Sequence, residues 1–123
     1  MTIPLDAAGA RSLLFVPATS ADRIGKALAC GVDMTVVDLE DAVAPDDKEA
    51  ARAALPGLVH RAAVRINACG TPWFEGDLRA CRDAKVPVVV LPKAEQPVQV
   101  ERVRAIASDC AVIVTDHRDF DYG

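Results

Sequence analysis

The stretch Met34-Thr35-Val36-Val37-Asp38-Leu39-Glu40-Asp41 is an apolar, β-branched run that ends among carboxylates. Such a run, bounded by polar residues, is typical of a buried strand. The segment Pro45-Asp46-Asp47 follows it, and a helical alanine pattern runs from Ala50 to Ala54. Because proline and aspartate are common in the first turn of a helix, this part of the chain predicts one strand–helix unit.

The same unit repeats along the chain. Helical patterns separate apolar runs at Leu13–Val16, Met34–Leu39, Ala62–Ile66, Val86–Leu91 and Ala111–Val114. Gly31 and the pair Pro56-Gly57 are placed to end the first two helices. Apolar strands joined by helices predict an α/β fold with a parallel sheet, and both a doubly wound sheet and a (β/α)8 barrel fit the pattern. A complete barrel takes about 200 residues or more, so residues 1–123 form a single domain that is either an open five-stranded sheet or half of a barrel.

Composition narrows the possible partners. The chain is 51% hydrophobic and has 14 basic residues against 18 acidic ones, for a formal net charge of −4. Without a basic run, neither nucleic acid nor an anionic membrane is an expected partner. The apolar runs are too short to cross a bilayer and the N-terminus lacks a signal-peptide pattern, which predicts a cytoplasmic protein. Small molecules and other proteins remain as partners.

The cysteines give no site. Cys30, Cys69, Cys81 and Cys110 are widely spaced, and the chain has only two histidines, so neither a zinc site nor a redox pair is predicted. We expect reduced and mostly buried thiols. The glycine-rich motifs of nucleotide sites and the serine motif of hydrolases are also missing from the sequence.

Charged residues follow several of the predicted strands, where ligands bind in parallel α/β folds. Asp38, Glu40 and Asp41 could hold Mg²⁺ directly or through water, or they could form an acidic cluster at a helix start. Arg65 interrupts an apolar run, so it needs a partner. That partner is either a substrate carboxylate or a buried acid of this chain. Lys93 follows the fourth run, where it either adds to substrate binding or pairs with Glu95.

Five motifs, in order, carry a family resemblance. They are Arg11-Ser12-Leu13-Leu14-Phe15-Val16-Pro17, Asp22-Arg23 with Lys26-Ala27, Val37 to Pro45 with Lys48, Val64-Arg65-Ile66-Asn67 with Gly70-Thr71-Pro72-Trp73, and Leu91-Pro92-Lys93-Ala94-Glu95. Together they resemble the citrate lyase β-subunit (CitE-like) branch of the HpcH/HpaI aldolase family. The resemblance implies the first half of a (β/α)8 TIM-type barrel, usually in an oligomer. It also implies a Mg²⁺-dependent lyase that breaks or forms a carbon–carbon bond in a 3-hydroxy-acyl thioester such as citryl, malyl or citramalyl, carried on coenzyme A or an acyl carrier protein.

The resemblance also implies roles for particular residues. Arg65 matches the arginine that holds the substrate carboxylate, and Glu40 and Asp41 match catalytic acids beside the metal that orient its water. The family's direct metal ligands follow its fifth and sixth strands. Here the sequence departs from the family pattern over Thr115–Gly123, so no metal ligand is assigned.

Two other functions stay open. One is a non-catalytic, truncated fragment that binds longer relatives. The other is a receiver-type signalling module, which is disfavoured because Pro17-Ala18-Thr19 stands where that fold needs an acidic pair. A half-barrel exposes the edges of its first and fifth strands, so we expect a homo-oligomer and no turnover unless partner chains complete the site.

Overall fold

The computed structural model describes residues 2–4, 13–30, 34–57, 62–92 and 97–115. Six strands within these residues form one parallel sheet, in the order β1-β6-β5-β4-β3-β2. The strands are β1 (Thr2–Pro4), β2 (Leu13–Pro17), β3 (Met34–Asp38), β4 (Ala63–Arg65), β5 (Val88–Pro92) and β6 (Ala111–Thr115). The five predicted strands are β2 to β6, and each lies beside the next one along the chain.

Within the described residues, four α-helices connect the strands. They are α1 (Ala21–Ala29), α2 (Lys48–Ala53), α3 (Phe74–Ala84) and α4 (Pro97–Ile106). The segment Pro45–Asp47, predicted as a helix start, forms a 3-10 turn directly before α2. Gly31, predicted to end the first helix, lies outside the described residues. No helix in the described part of the chain is long and apolar enough to cross a membrane.

Strand β1 was not predicted from the sequence. It pairs in parallel with β6, with Ile3 opposite Ile113. The expectation that the fifth predicted strand has an uncovered edge is therefore wrong, because β1 lies along that edge. Three residues, one of them proline, are too few to show the alternation that marks a strand.

The sheet buries apolar side chains on both faces. Val37, Val64, Val89 and Val112 belong to the core that α1, α3 and α4 cover, together with residues such as Ile24, Leu78 and Val103. A second cluster on the opposite face contains Phe15, Val36, Ala63, Val90 and Ile113. Because successive strand residues point to opposite faces, Asp38 and Arg65 share the face of this second cluster. The charged pair therefore lies on the face of the sheet opposite the helix-covered core, at the carboxyl ends of β3 and β4.

Two of the four cysteines are buried. Cys81 and Cys110 are buried, Cys69 is half-buried and Cys30 is exposed, so the expectation of mostly buried thiols is wrong for Cys30. All four are free thiols. Burial, with smaller contributions from Cys110 and Asp77, strongly raises the pKa of Cys81. Burial and the nearby Asp109 raise the pKa of Cys110.

Thiol labelling at neutral pH is expected to follow this order of burial. Iodoacetamide should modify Cys30 first and leave Cys81 and Cys110 unmodified in the folded chain, because only an accessible thiolate reacts. Mass spectrometry of digested samples gives the rate at each site, and the urea-unfolded chain, in which all four should react, is the control. Labelling of Cys81 as fast as Cys30 in the folded chain would contradict the packing of α3.

Candidate functional site

A buried ion pair joins the ends of β3 and β4. Asp38 and Arg65 are direct neighbours in the parallel register of the two strands. Arg65 donates from Nε to Asp38 Oδ1 at 2.9 Å and from Nη2 to Asp38 Oδ2 at 2.7 Å. Both side chains are almost wholly shielded from solvent, with exposed fractions of 0% for Asp38 and 2% for Arg65. This bidentate geometry holds the guanidinium plane in one orientation.

Asp38 also shapes the loop that follows β3. Its Oδ1 accepts a hydrogen bond from the backbone N–H of Glu40 at 2.8 Å, and its Oδ2 accepts one from the backbone N–H of Ala42 at 3.0 Å. The strand ends at Asp38, so the positions of the next acids depend on this turn rather than on strand alternation. Glu40 is buried, with Oε1 3.6 Å from Arg65 Nε, whereas Asp41 is exposed.

An aromatic ring covers the cation. The ring of Phe15, on β2, lies with its centroid 4.5 Å from Arg65 Cζ. A guanidinium over an aromatic face is held by the ring quadrupole, and this contribution grows where water is excluded. Arg65 therefore has a carboxylate along its edge and an aromatic ring on its face.

Lys48, the first residue of α2, places its ammonium beneath the same loop. Its Nζ lies within hydrogen-bonding distance of the carbonyl oxygens of Leu39 (2.9 Å), Glu40 (3.1 Å) and Val43 (3.2 Å) and of Asn67 Oδ1 (2.8 Å). The side chain is buried. The loop between β3 and α2 therefore encloses a cation.

A second buried carboxylate extends the network to α3. Asp77 Oδ2 accepts hydrogen bonds from the backbone N–H and from Nδ2 of Asn67, at 2.9 and 2.6 Å. Asp77 Oδ1 accepts one from Arg52 Nε at 2.7 Å. Asn67 Nδ2 also donates to the Leu39 carbonyl at 3.0 Å. Asn67 thus links the loop after β3 to α3.

The structure brings together part of the predicted site. Glu40 and Arg65 are adjacent, and Asp38 joins them. Asp41 lies in the same loop but faces solvent, and Lys93 is outside the described residues. From the sequence, the partner of Arg65 could be a substrate carboxylate or an acid of this chain. In the structure, the Arg65 guanidinium bonds the carboxylate of Asp38. Its role towards a substrate stays a prediction.

Sequence reasoning assigned no role to Lys48, Asn67 or Asp77. Lys48 and Asn67 belong to the motifs that carry the family resemblance, and this membership could have marked them as site residues. Asp77 lies in a charged segment, and nothing there distinguishes a buried carboxylate from one at a solvated helix start.

These residues do not amount to a metal site. In the described part of the chain no group of three or more His, Cys, Asp or Glu side chains is placed to hold a metal ion. Both oxygens of Asp38 already accept hydrogen bonds from Arg65 and from backbone N–H groups. Asp38 is therefore engaged by this chain's own donors and is poorly placed to be a direct metal ligand.

The sequence model of the HpcH/HpaI aldolase/citrate lyase family matches residues 11–114. The chain belongs to this family. Among curated relatives, a (3S)-malyl-CoA thioesterase from Cereibacter sphaeroides is 36% identical over 106 residues, which cover 80% of this chain and 37% of the thioesterase. A citrate lyase subunit beta-like protein from Mycobacterium tuberculosis is 46% identical over 90 residues, covering 71% of this chain and 33% of that protein.

Solved structures of the family share the fold. The citrate lyase beta subunit from M. tuberculosis, complexed with oxaloacetate and magnesium, superposes with a TM-score of 0.73 at 40% identity. The match covers 83% of this chain and 45% of that chain. The predicted CitE-like resemblance and the α/β fold of parallel strand–helix repeats, forming part of a TIM-type barrel, are confirmed. The chain spans less than half the length of these HpcH/HpaI relatives.

Proposed function

We propose that this chain is part of a Mg²⁺-dependent, CitE-like carbon–carbon lyase and provides the half of the site that binds the substrate carboxylate. Its substrate would be a 3-hydroxy-acyl thioester, such as a citryl, malyl or citramalyl group on coenzyme A or an acyl carrier protein. The observation that carries the proposal is the buried Asp38–Arg65 pair with Glu40 against it, at the end of the sheet where parallel α/β enzymes bind their ligands. The malyl-CoA thioesterase relative supports an acyl-CoA substrate class.

Charge balance supports a site that takes an anion together with a cation. The formal charges of Asp38 and Glu40 are offset by those of Arg65 and Lys48, all four of which are buried. A keto acid entering this neutral, desolvated cluster would bring uncompensated negative charge, which is unfavourable unless a cation enters with it. The oxaloacetate and magnesium in the M. tuberculosis citrate lyase beta subunit are such a combination.

The proposed chemistry divides between the metal and the chain. When bound, Mg²⁺ would supply Lewis-acid polarisation of a keto-acid oxygen. Arg65 would hold the substrate carboxylate, and Asp38 would keep the guanidinium oriented for it. Glu40 and Asp41 would both orient water at the metal. Glu40 would do so from the buried side of the loop and Asp41 from its solvent side. Lys93 remains proposed as a second cation for the substrate.

Isothermal titration with oxaloacetate, with and without Mg²⁺, tests the proposal. We expect binding only with Mg²⁺, and Arg65→Lys should weaken it at least tenfold because a lysine keeps the charge but loses the fork. Arg82→Lys is the matched control, because Arg82 is exposed and its ion pair is a local one with the neighbouring Asp83. A folded chain that binds no oxaloacetate with Mg²⁺ would contradict the proposal and favour the non-catalytic fragment.

We also propose that the protein works as a cytoplasmic homo-oligomer. The described sheet ends at β2, whose outer edge has no strand partner among the described residues. An open strand edge readily pairs with another chain. Light scattering should give a mass that is a multiple of the 13.0 kDa chain. A monomer that binds oxaloacetate would contradict the oligomer and leave the lyase proposal standing.

A further inference from the structure

The backbone of Glu40 is held from both sides. Its N–H donates to Asp38 Oδ1 at 2.8 Å, and its carbonyl oxygen lies 3.1 Å from Lys48 Nζ. The carbonyls of Leu39 and Val43, on either side of Glu40 in the chain, lie close to the same ammonium. The Lys48 ammonium therefore contacts three backbone carbonyls of one short loop.

The surroundings of Lys48 suit a permanent cation. An ammonium has three N–H donors and no acceptor, and four oxygens within 3.2 Å surround this one. The ring of Trp73 lies with its centroid 4.8 Å from Nζ. These four oxygens are three backbone carbonyls and the Asn67 amide oxygen, so the contacts that hold the ammonium are dipoles rather than a directly bonded carboxylate. Removing the ammonium would leave the Leu39 and Glu40 carbonyls with one donor each, from Asn67 Nδ2 and the Val43 N–H. The three carbonyls would no longer share a cation, which favours a different loop conformation.

We propose that Lys48 is a positioning residue that fixes the loop Leu39–Val43, and through it the carboxylate of Glu40 against Arg65. This inference rests on the proposed function of Glu40 and Arg65. Lys48 acts only through the loop backbone and does not contact the substrate. Asn67 Oδ1, the fourth oxygen near the ammonium, links this positioning to the buried carboxylate of Asp77.

The experiment compares Lys48→Met, which keeps the stem and removes the charge, with Lys26→Met. Lys26 is the matched control because it is 77% exposed and its ion pair is an exposed one with Asp22, on the same helix. In Lys48→Met we expect hydrogen exchange at the backbone N–H groups of Glu40 and Ala42 to rise at least tenfold, as for the loss of a charge-assisted hydrogen bond. Exchange within β5 should stay unchanged, which separates local loosening from global unfolding.

Two further readouts separate positioning from a merely structural role. Trp73 is the only tryptophan, so the intrinsic tryptophan emission of the chain should shift in Lys48→Met and not in Lys26→Met. Affinity for oxaloacetate with Mg²⁺ should fall at least tenfold in the folded variant, whereas a merely structural lysine would leave it unchanged. Unchanged exchange at Glu40 in a folded Lys48→Met chain would overturn the inference.

The role of Lys48 can still be tested if the chain binds no oxaloacetate or if the variant does not fold. If the unaltered chain binds no oxaloacetate, the proposed function fails, but exchange at Glu40 still decides whether Lys48 fixes the loop. If Lys48→Met does not fold, the side-chain ammonium of the unaltered chain is observed by ¹⁵N NMR. Protection of its protons from water, relative to those of Lys26, supports the enclosed geometry, and exchange as fast as at Lys26 overturns it.

Discussion

Replacing Asp38 with alanine is expected to lower the free energy of unfolding by about 3–5 kcal/mol, which is the usual effect of breaking a buried ion pair. The guanidinium of Arg65 would stay buried without its carboxylate, and the backbone N–H groups of Glu40 and Ala42 would lose their acceptor. Because small domains are stable by only about 5–15 kcal/mol, this loss is a large part of the total. Urea unfolding followed by circular dichroism measures it.

Two control variants distinguish the effect of leaving a buried charge unpaired from the effect of removing a carboxylate at any position. Asp22→Ala removes an exposed partner of Lys26 and should cost less than about 1 kcal/mol. The double variant Asp38→Leu with Arg65→Met should recover much of the lost stability, since apolar replacement of a whole buried pair is often neutral or stabilising. A single Asp38→Ala variant no less stable than Asp22→Ala would show that the pair is not buried as described.

Asp77→Ala is expected to lower the free energy of unfolding by about 2–4 kcal/mol, because the unpaired polar groups it leaves keep their desolvation penalty. The backbone N–H of Asn67 would lose its acceptor, and so would Arg52 Nε. Arg52 is partly exposed and can turn to water, but Asn67 is buried. Most of the loss therefore arises at Asn67.

Asp83→Ala is the matched control on the same helix, because the Asp83 side chain is 72% exposed and forms its ion pair with the neighbouring Arg82. It should change stability by less than about 0.5 kcal/mol. Urea midpoints of the two variants give the comparison directly. Equal midpoints for Asp77→Ala and Asp83→Ala would contradict the buried network that joins α3 to the loop after β3.

The strand pattern could be predicted because each of β2 to β6 is an apolar run long enough to stand out from the segments around it. Strand β1 could not, since three residues carry no periodicity. The last polar residues of the strands also indicated where the site lies. Strand direction alone was enough for this prediction, because the carboxyl ends of parallel strands meet at one edge of the sheet.

The partners inside the site could not be predicted in the same way. Arg65 visibly needed a partner, but Asp38 lies 27 residues earlier, and only the register of β3 against β4 sets them side by side. Lys48 begins an alanine-rich helix and has the sequence context of a solvated lysine. Its burial depends on how the preceding loop folds back over it. Asp77 is buried where α3 meets Asn67, just after β4, and Arg52 of α2, and no local pattern encodes these contacts.

A residue-resolved NMR titration with oxaloacetate and Mg²⁺ would show whether the charged cluster at the carboxyl ends of β3 and β4 is the ligand site. We predict shifts of the backbone N–H signals of Glu40 and Ala42, of Arg65 Nε–H and of the side-chain amide of Asn67. Shifts confined to Val86 and Cys110, which precede β5 and β6 at the opposite end of the sheet, or no shifts in a folded chain, would contradict it.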